Sequence, residues 1–150
     1  MKKRILIIGP VSEALGGKGV AGIARHVEGL ALQLNQRGFD VTVWYHKQNK
    51  SLNVNGVSIV GDNYILKVFR VLTGLISFLF KRGVRTKGLP LFRVFIISHQ
   101  YVVLKDILTT ESFDVVHIHS LNSFVGNSLE LLRISGVRMP KIVFTDHGFW

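Results

Sequence analysis

The chain has 150 residues, the length of one ordinary domain. At 47% hydrophobic and 19% charged residues it is too apolar to stay disordered and too mixed for a coiled coil, so a packed core is expected. Nineteen Lys and Arg against nine Asp and Glu give a net charge of +10, which favours phosphate, nucleic acid or anionic lipid as partners. The absence of cysteine excludes a disulfide scaffold, a thiol nucleophile and any Cys-ligated metal.

The basic start Lys2-Lys3-Arg4 is followed by Ile5 to Ile8, but this apolar run stops at Gly9-Pro10, far short of a secretory signal. It predicts instead a strand covered on both faces in a parallel sheet. After the glycine-rich stretch Gly16 to Gly22, Ile23, Val27, Leu30, Ala31 and Leu34 recur at helical spacing, and Arg37-Gly38 closes that helix. Val41 to Tyr45 reads as a second strand, and Val57 to Val60 as a third after an Asn/Gly turn. Strand, helix, strand opens a doubly wound α/β sheet with Rossmann-like order. Ile5 to Ile8 is expected to lie centrally in a five-stranded parallel sheet, flanked by the strands at Val41 and Asp114.

From Asn63 to Lys105 the composition shifts to eight basic residues and no acidic one, set among aliphatic and aromatic side chains. On a helical wheel Ile65, Val68, Phe69, Leu72, Leu75, Ile76, Leu79 and Phe80 share one face, and Lys67, Arg70, Gly74, Ser77 and Lys81 another. Gly83 to Pro90 forms a basic loop, followed by a second apolar stretch from Leu91 to Leu108. Charges inside both stretches argue against membrane spans, so an interfacial or core-packed helix pair is expected. If interfacial, Lys67, Arg70, Lys81, Arg82, Arg85 and Lys87 are the cations that would meet anionic lipid. Asp114 to Ser120 is then a strand, Ser123 to Ser135 a helix, Lys141 to Thr145 a last strand, and Asp146 to Trp150 its outgoing loop.

Gly17-Lys18-Gly19-Val20-Ala21-Gly22 fits the G-x-G-x-x-G dinucleotide fingerprint, but Pro10 to Gly16 separate it from the strand and the second strand lacks the acid that holds a ribose. A Walker loop fits worse, since Gly19 follows Lys18 where Ser or Thr belongs. What remains is a glycine loop with free N–H groups facing an anion, or a turn with no ligand. His117 and His119, two apart on a strand, point to one face, a spacing that suits a metal. No carboxylate cluster completes such a site, and no metal is expected. The two histidines sit instead at a strand's carboxyl end, where open parallel sheets bind ligands, and His147 follows the last strand equivalently, beside Asp146. His117 is equally well a core histidine with a satisfied hydrogen bond.

Four segments together resemble the N-terminal domain of a family 4 glycosyltransferase, a retaining enzyme built from two Rossmann domains: Arg4 to Pro10; Gly22 to Leu34 running into Arg37 to Val43; Asp114 to Ser120; and Ile142 to Gly148. The resemblance implies that the loop carrying Gly16, Gly17, Gly19 and Gly22 faces a bound sugar nucleotide and that His147 faces the transferred sugar; His119 and Asp146 are expected to bind substrate beside it from their own places at the strand ends. It implies a nucleotide-sugar donor as substrate, no cofactor, and a glycan or lipid-linked acceptor. Two departures are present: the paired glycine before the helix is Ala21-Gly22, and Phe39 replaces the histidine usual in the turn after that helix. The donor-binding second domain, with its two glutamates, is expected to be missing, so residues 1–150 would be an acceptor-side domain, inactive alone. They would come from a truncated reading frame, an excised domain or a split enzyme whose donor-binding half is a separate chain. The expected location is cytoplasmic, peripheral to the inner face of a membrane, with no nucleic-acid partner. The rivals are a basic flavodoxin-like module for nucleic acid or another polyanion, and a nucleotide-cofactor oxidoreductase domain.

Overall fold

The computed structural model describes residues 2–20, 22–80, 91–119 and 125–147, and its contacts divide the chain into two compact units. The first, residues 1–62, 112–120 and 140–150, is the sheet unit. Its strands are β1 (Arg4–Ile8), β2 (Asp40–Trp44), β3 (Leu52–Val54), β4 (Val57–Val60), β5 (Val115–Ile118) and β6 (Lys141–Phe144), with helix α1 (Gly22–Gln36) between β1 and β2. The second, residues 63–111 and 121–139, holds α2 (Tyr64–Phe80), α3 (Leu91–Thr110) and α4 (Val125–Ile134). Among the described residues, a six-stranded, mostly parallel sheet with four α-helices is a Rossmann-like α/β fold, as the alternation of aliphatic runs and helical periods dictates.

The strand order is β3-β4-β2-β1-β5-β6. β1 is central, paired in parallel with β2 (Ile7 opposite Val43) and with β5 (Ile7 opposite His117), and β6 extends the sheet beyond β5. Leu6 and Ile7 are wholly buried, the consequence of a strand covered on both faces. Inside the helix, Ala24, Val27 and Ala31 are buried; its end is marked by Gly38 at φ +87°, which no side chain obstructs. From β1 the chain grows outward through β2 and β4 on one side, then returns to lay β5 and β6 on the other. The point between β1 and β5 is therefore the topological switch, at whose carboxyl end such sheets hold ligands.

The sheet has one strand more than the five expected. Leu52–Val54 runs antiparallel to β4 through the two-residue turn Asn55-Gly56, both at positive φ. This hairpin puts a short strand on the edge, where Leu52-Asn53-Val54 has no aliphatic run to announce it.

In the helical unit the wheel's two faces are arranged opposite to the usual order. Gly74, on the polar face, packs so closely on the Ser98 backbone of α3 that a Cβ there would overlap the Ser98 carbonyl. Arg70, on the same face, pairs with Asp106 of α3 at 2.8 Å, its side chain 19% exposed. The apolar face is left outward: Ile65, Phe69, Leu72 and Ile76 are 78%, 63%, 55% and 57% exposed. Phe92 and Phe95 of α3 are exposed as well. Among the described residues no helix is long and apolar enough to cross a membrane.

Candidate active site

The site is built on the carboxyl ends of β1, β5 and β6. Continuing past β5, the His119 N–H donates to the Ile8 carbonyl at 2.9 Å, and past β6 the Thr145 N–H donates to the Ile118 carbonyl at 3.0 Å. Sheet hydrogen bonding therefore fixes both outgoing segments, and the two-residue period of β5 puts His117 and His119 on one face, ring centroids 4.0 Å apart. Gly9, directly after β1, leaves room for His119, since a Cβ there would lie 3.2 Å from the His119 Cβ and 2.9 Å from Val27.

The expected pair His119 and His147 is brought together: His119 Nδ1 and His147 Nε2 are 3.1 Å apart and share a hydrogen bond. A third ring, His26 of α1, stands 5.2 Å from His119 and, edge-on, 5.1 Å from His147. Sequence reasoning does not find it. Its one signal is a place in the second turn of the helix after the glycine loop, which does not distinguish it from a solvated polar position. One ring nitrogen each from His26, His119 and His147 lie within 4.8 Å of one another. His117 takes the ordinary role: its Nε2 bonds the Thr145 hydroxyl at 2.8 Å.

Burial of the His119 ring, reinforced by the neighbouring His117, His26 and His147, pushes its pKa down to about 4. Burial also lowers that of His117, helped by His26 and His147. Both are therefore neutral imidazoles near pH 7. The His119 ring is 1% exposed, and its Nε2 has no partner while Nδ1 is shared with His147. One proton lies between the two rings, and the ring that holds it fixes the tautomer of the other; His119 thus decides whether His147 offers the outside a donor or a lone pair.

A depressed pKa also makes folding pH-dependent. As pH falls below about 6.5 the unfolded chain takes up the proton that folded His119 refuses until about pH 4, so stability is full above that window and declines through it. Chemical denaturation should lose on the order of 1–3 kcal/mol between pH 7 and pH 4 from this group, and His119→Asn should flatten the dependence. A midpoint unchanged over that range would show that the ring is not held neutral.

In the glycine loop three amides are taken up internally: Gly16 donates to the Glu13 carbonyl, Gly17 to Ser12 and Gly19 to Val11. These glycines serve close packing. A Cβ at Gly17 would overlap the Val11 carbonyl, one at Gly19 would lie 2.7 Å from Ala24, and Gly16 sits at φ +79° with Leu52 against it. Gly22 opens α1 with no atom near its absent side chain. The loop folds on itself because Gly16, Gly17 and Gly19 permit approaches that any side chain would block.

Beside it lies a cleft of about 670 Å³, lined by Gly16 and Gly19 and by Lys18, Tyr45, Lys47 and Lys50, with no acidic residue among its described lining. Gln48, 8% exposed, ties its two walls by donating to the Gly16 and Lys50 carbonyls. The histidines do not line this cleft. The glycine loop and the imidazoles are instead neighbours, joined through Gly9-Pro10 and the first turns of α1. Asp146 is exposed next to His147. Of the six cations expected to meet lipid, Lys67 is half-buried, Arg70 is tied to Asp106, and Lys81, Arg82, Arg85 and Lys87 lie outside the described residues.

A mostly parallel α/β sheet with imidazoles converging at its switch point is a Rossmann-like domain. Residues 20–150 match the family model described as Glycosyltransferase Family 4, nearly the whole chain, and the chain belongs to that family. Neither the curated proteins nor the solved structures yielded a match.

Proposed function

We propose that this chain is the acceptor-side domain of a retaining, sugar-nucleotide-dependent glycosyltransferase that acts on a lipid-linked or cell-envelope glycan at the inner face of a membrane. The observation that carries the reading is the convergence of His119 and His147 at the sheet's switch point in a chain of this family. His147 faces the transferred sugar, and its imidazole accepts a hydrogen bond from a sugar hydroxyl, a bond that strengthens as positive charge develops on the ring in the transition state. His119 is the positioning residue behind it, and Asp146 flanks it. Because the amides of Gly16, Gly17 and Gly19 are taken up inside the loop, the anionic groups of the substrates fall to Lys18, Lys47 and Lys50, whose ammonium groups meet no acidic competitor among the cleft's described lining.

The donor is held from its other side by a second domain, in the same polypeptide or in a separate chain, because one wall cannot exclude water or clamp a diphosphate. No cofactor and no metal are needed for turnover, and no nucleic acid takes part. Membrane contact is made by the outward face of α2, whose apolar side chains insert while the basic stretch attracts anionic lipid.

The test is transfer of radiolabelled sugar from nucleotide-sugar donors to lipid-linked acceptors. Residues 1–150 alone should give none; the same residues joined to a family 4 donor-binding domain should give transfer that EDTA does not lower. Robust transfer by the 150 residues alone would overturn the two-domain reading, and none by any joined form would overturn the glycosyltransferase reading.

A further inference from the structure

We propose that His26, His119 and His147 form a binding site for a borderline transition-metal ion, Zn²⁺ above all, and that the bound ion is an inhibitor rather than a cofactor. Three features of the cluster carry this. The first is geometry: one ring nitrogen from each residue already lies within 4.8 Å of the other two. Zinc–nitrogen bonds of about 2.0–2.1 Å in a tetrahedral site require those nitrogens to close to roughly 3.4 Å. His119 is wholly buried between Gly9 and the sheet and His147 is hydrogen-bonded to it at 3.1 Å, whereas His26 is exposed, so the closure falls on the His26 ring. A rotamer adjustment of that size costs about 0.5–1.5 kcal/mol, small against the bonds formed.

The second feature is the donor set. Three imidazoles carry no charge in their ligating form and bring no carboxylate, which suits Zn²⁺, Co²⁺, Ni²⁺ or Cu²⁺ and disfavours Mg²⁺ and Ca²⁺, whose partners are oxygens. The chain holds no cysteine, so no sulfur site competes for the ion. The third feature is the unpartnered Nε2 of His119, a nitrogen that the protein alone leaves without a hydrogen bond. In a neutral ring whose Nδ1 is shared with His147, that atom is either a lone pair without a donor or an N–H without an acceptor. Leaving it so costs about 1–3 kcal/mol, a cost that a metal ion removes when it is bound at Nε2 itself.

The rings come from three segments: His26 from the first turns of α1, His119 from the end of β5, and His147 from the end of β6. A histidine pair spaced for a metal on one strand, His117 with His119, is not the set the fold assembles, because His117 is turned to Thr145. The exposed His26 leaves the ion an entry path and a fourth position open to water. Inhibition rests on the proposed role of His147: an ion on its ring takes the lone pair or displaces the proton that the sugar would meet. Metal binding itself does not depend on that role, so the two can fail separately.

The 150-residue chain is sufficient for the test. Titrated with Co²⁺ at pH 7.5, it should develop the intense visible d–d bands of a tetrahedral nitrogen site at one equivalent, and Zn²⁺ should bleach them. His26→Gln, at an exposed position that leaves the sheet intact, should weaken Co²⁺ roughly tenfold or more, a change of about 1.4 kcal/mol per tenfold. His147→Gln should do the same, and His46→Gln, outside the cluster, should change nothing. Only weak octahedral bands, or affinity unchanged in the His26 and His147 variants, would overturn the site. Tetrahedral Co²⁺ in a joined enzyme whose transfer Zn²⁺ does not inhibit would overturn the inhibitory role and leave the metal site standing.

Discussion

His147→Ala, made in the enzyme joined to a donor-binding domain, is expected to lower kcat by about 10²- to 10⁴-fold while the apparent donor KM changes little. The imidazole is held at the end of β6 by the Thr145 bond to Ile118 and by the His119 ring behind it, 3.1 Å away. A group fixed in that way makes its contact with the sugar without reorganising as charge develops, and this is where such contacts are worth most. A fall in kcat and kcat/KM together would mark an interaction made in the transition state; a rise in KM with kcat intact would mean that His147 only binds. His119→Asn separates positioning from direct contact. It keeps a hydrogen-bonding side chain but removes the shared proton that sets the His147 tautomer, so it should lower kcat less than His147→Ala and shift its pH profile. Equal losses with an unmoved profile would reduce His119 to a packing residue.

Much of this site is legible in the amino-acid sequence, and the parts that are not share a cause. Ile5 to Ile8 and Val41 to Tyr45 announce parallel strands because burial on both faces favours mostly apolar runs, and the order of the runs places β1 centrally; Lys141 to Thr145 carries a similar run but forms the exposed edge strand β6. His119 and His147 then follow from where those strands end. Strand β3 escapes such a reading because it owes its existence to pairing with β4 across Asn55-Gly56, and Leu52-Asn53-Val54 has no pattern of its own. His26 escapes it because its neighbours follow β5 and β6, and helical periodicity assigns a face without saying what meets it. In the glycine loop, spacing shows that glycine is needed without saying why, and close packing on Val11 and Ala24 is one need that the fold supplies. For α2 the helical wheel divides the two faces correctly. Which of them meets α3 is decided by Gly74, whose missing side chain lets the backbones touch, and by Asp106, the first acid after the basic stretch, which takes Arg70.

That orientation leads to the second large effect. Replacing Ile65, Phe69, Leu72 and Ile76 together by Gln should abolish binding to anionic vesicles and leave the urea midpoint nearly unchanged. All four are more than half exposed, so folding loses little when they become polar, and glutamine keeps the helix propensity. Insertion of the same side chains is worth about 1.5–3 kcal/mol each when burial is complete, so the four together account for several powers of ten in partitioning. The cations set which lipid is chosen. Each Lys or Arg near an anionic surface contributes about 1 kcal/mol, and that attraction fades as salt shortens the Debye length to about 8 Å at physiological strength. Arg70 is expected to contribute less than the others, being held by Asp106, so Arg70→Gln should weaken vesicle binding less than Lys81→Gln. Unfolding of the four-residue variant would place the face in the core. Equal binding of the unaltered chain to neutral and anionic vesicles would remove the cations from the interaction, and failure to bind either, with the fold intact, would defeat the membrane reading while the histidine site and its chemistry stand.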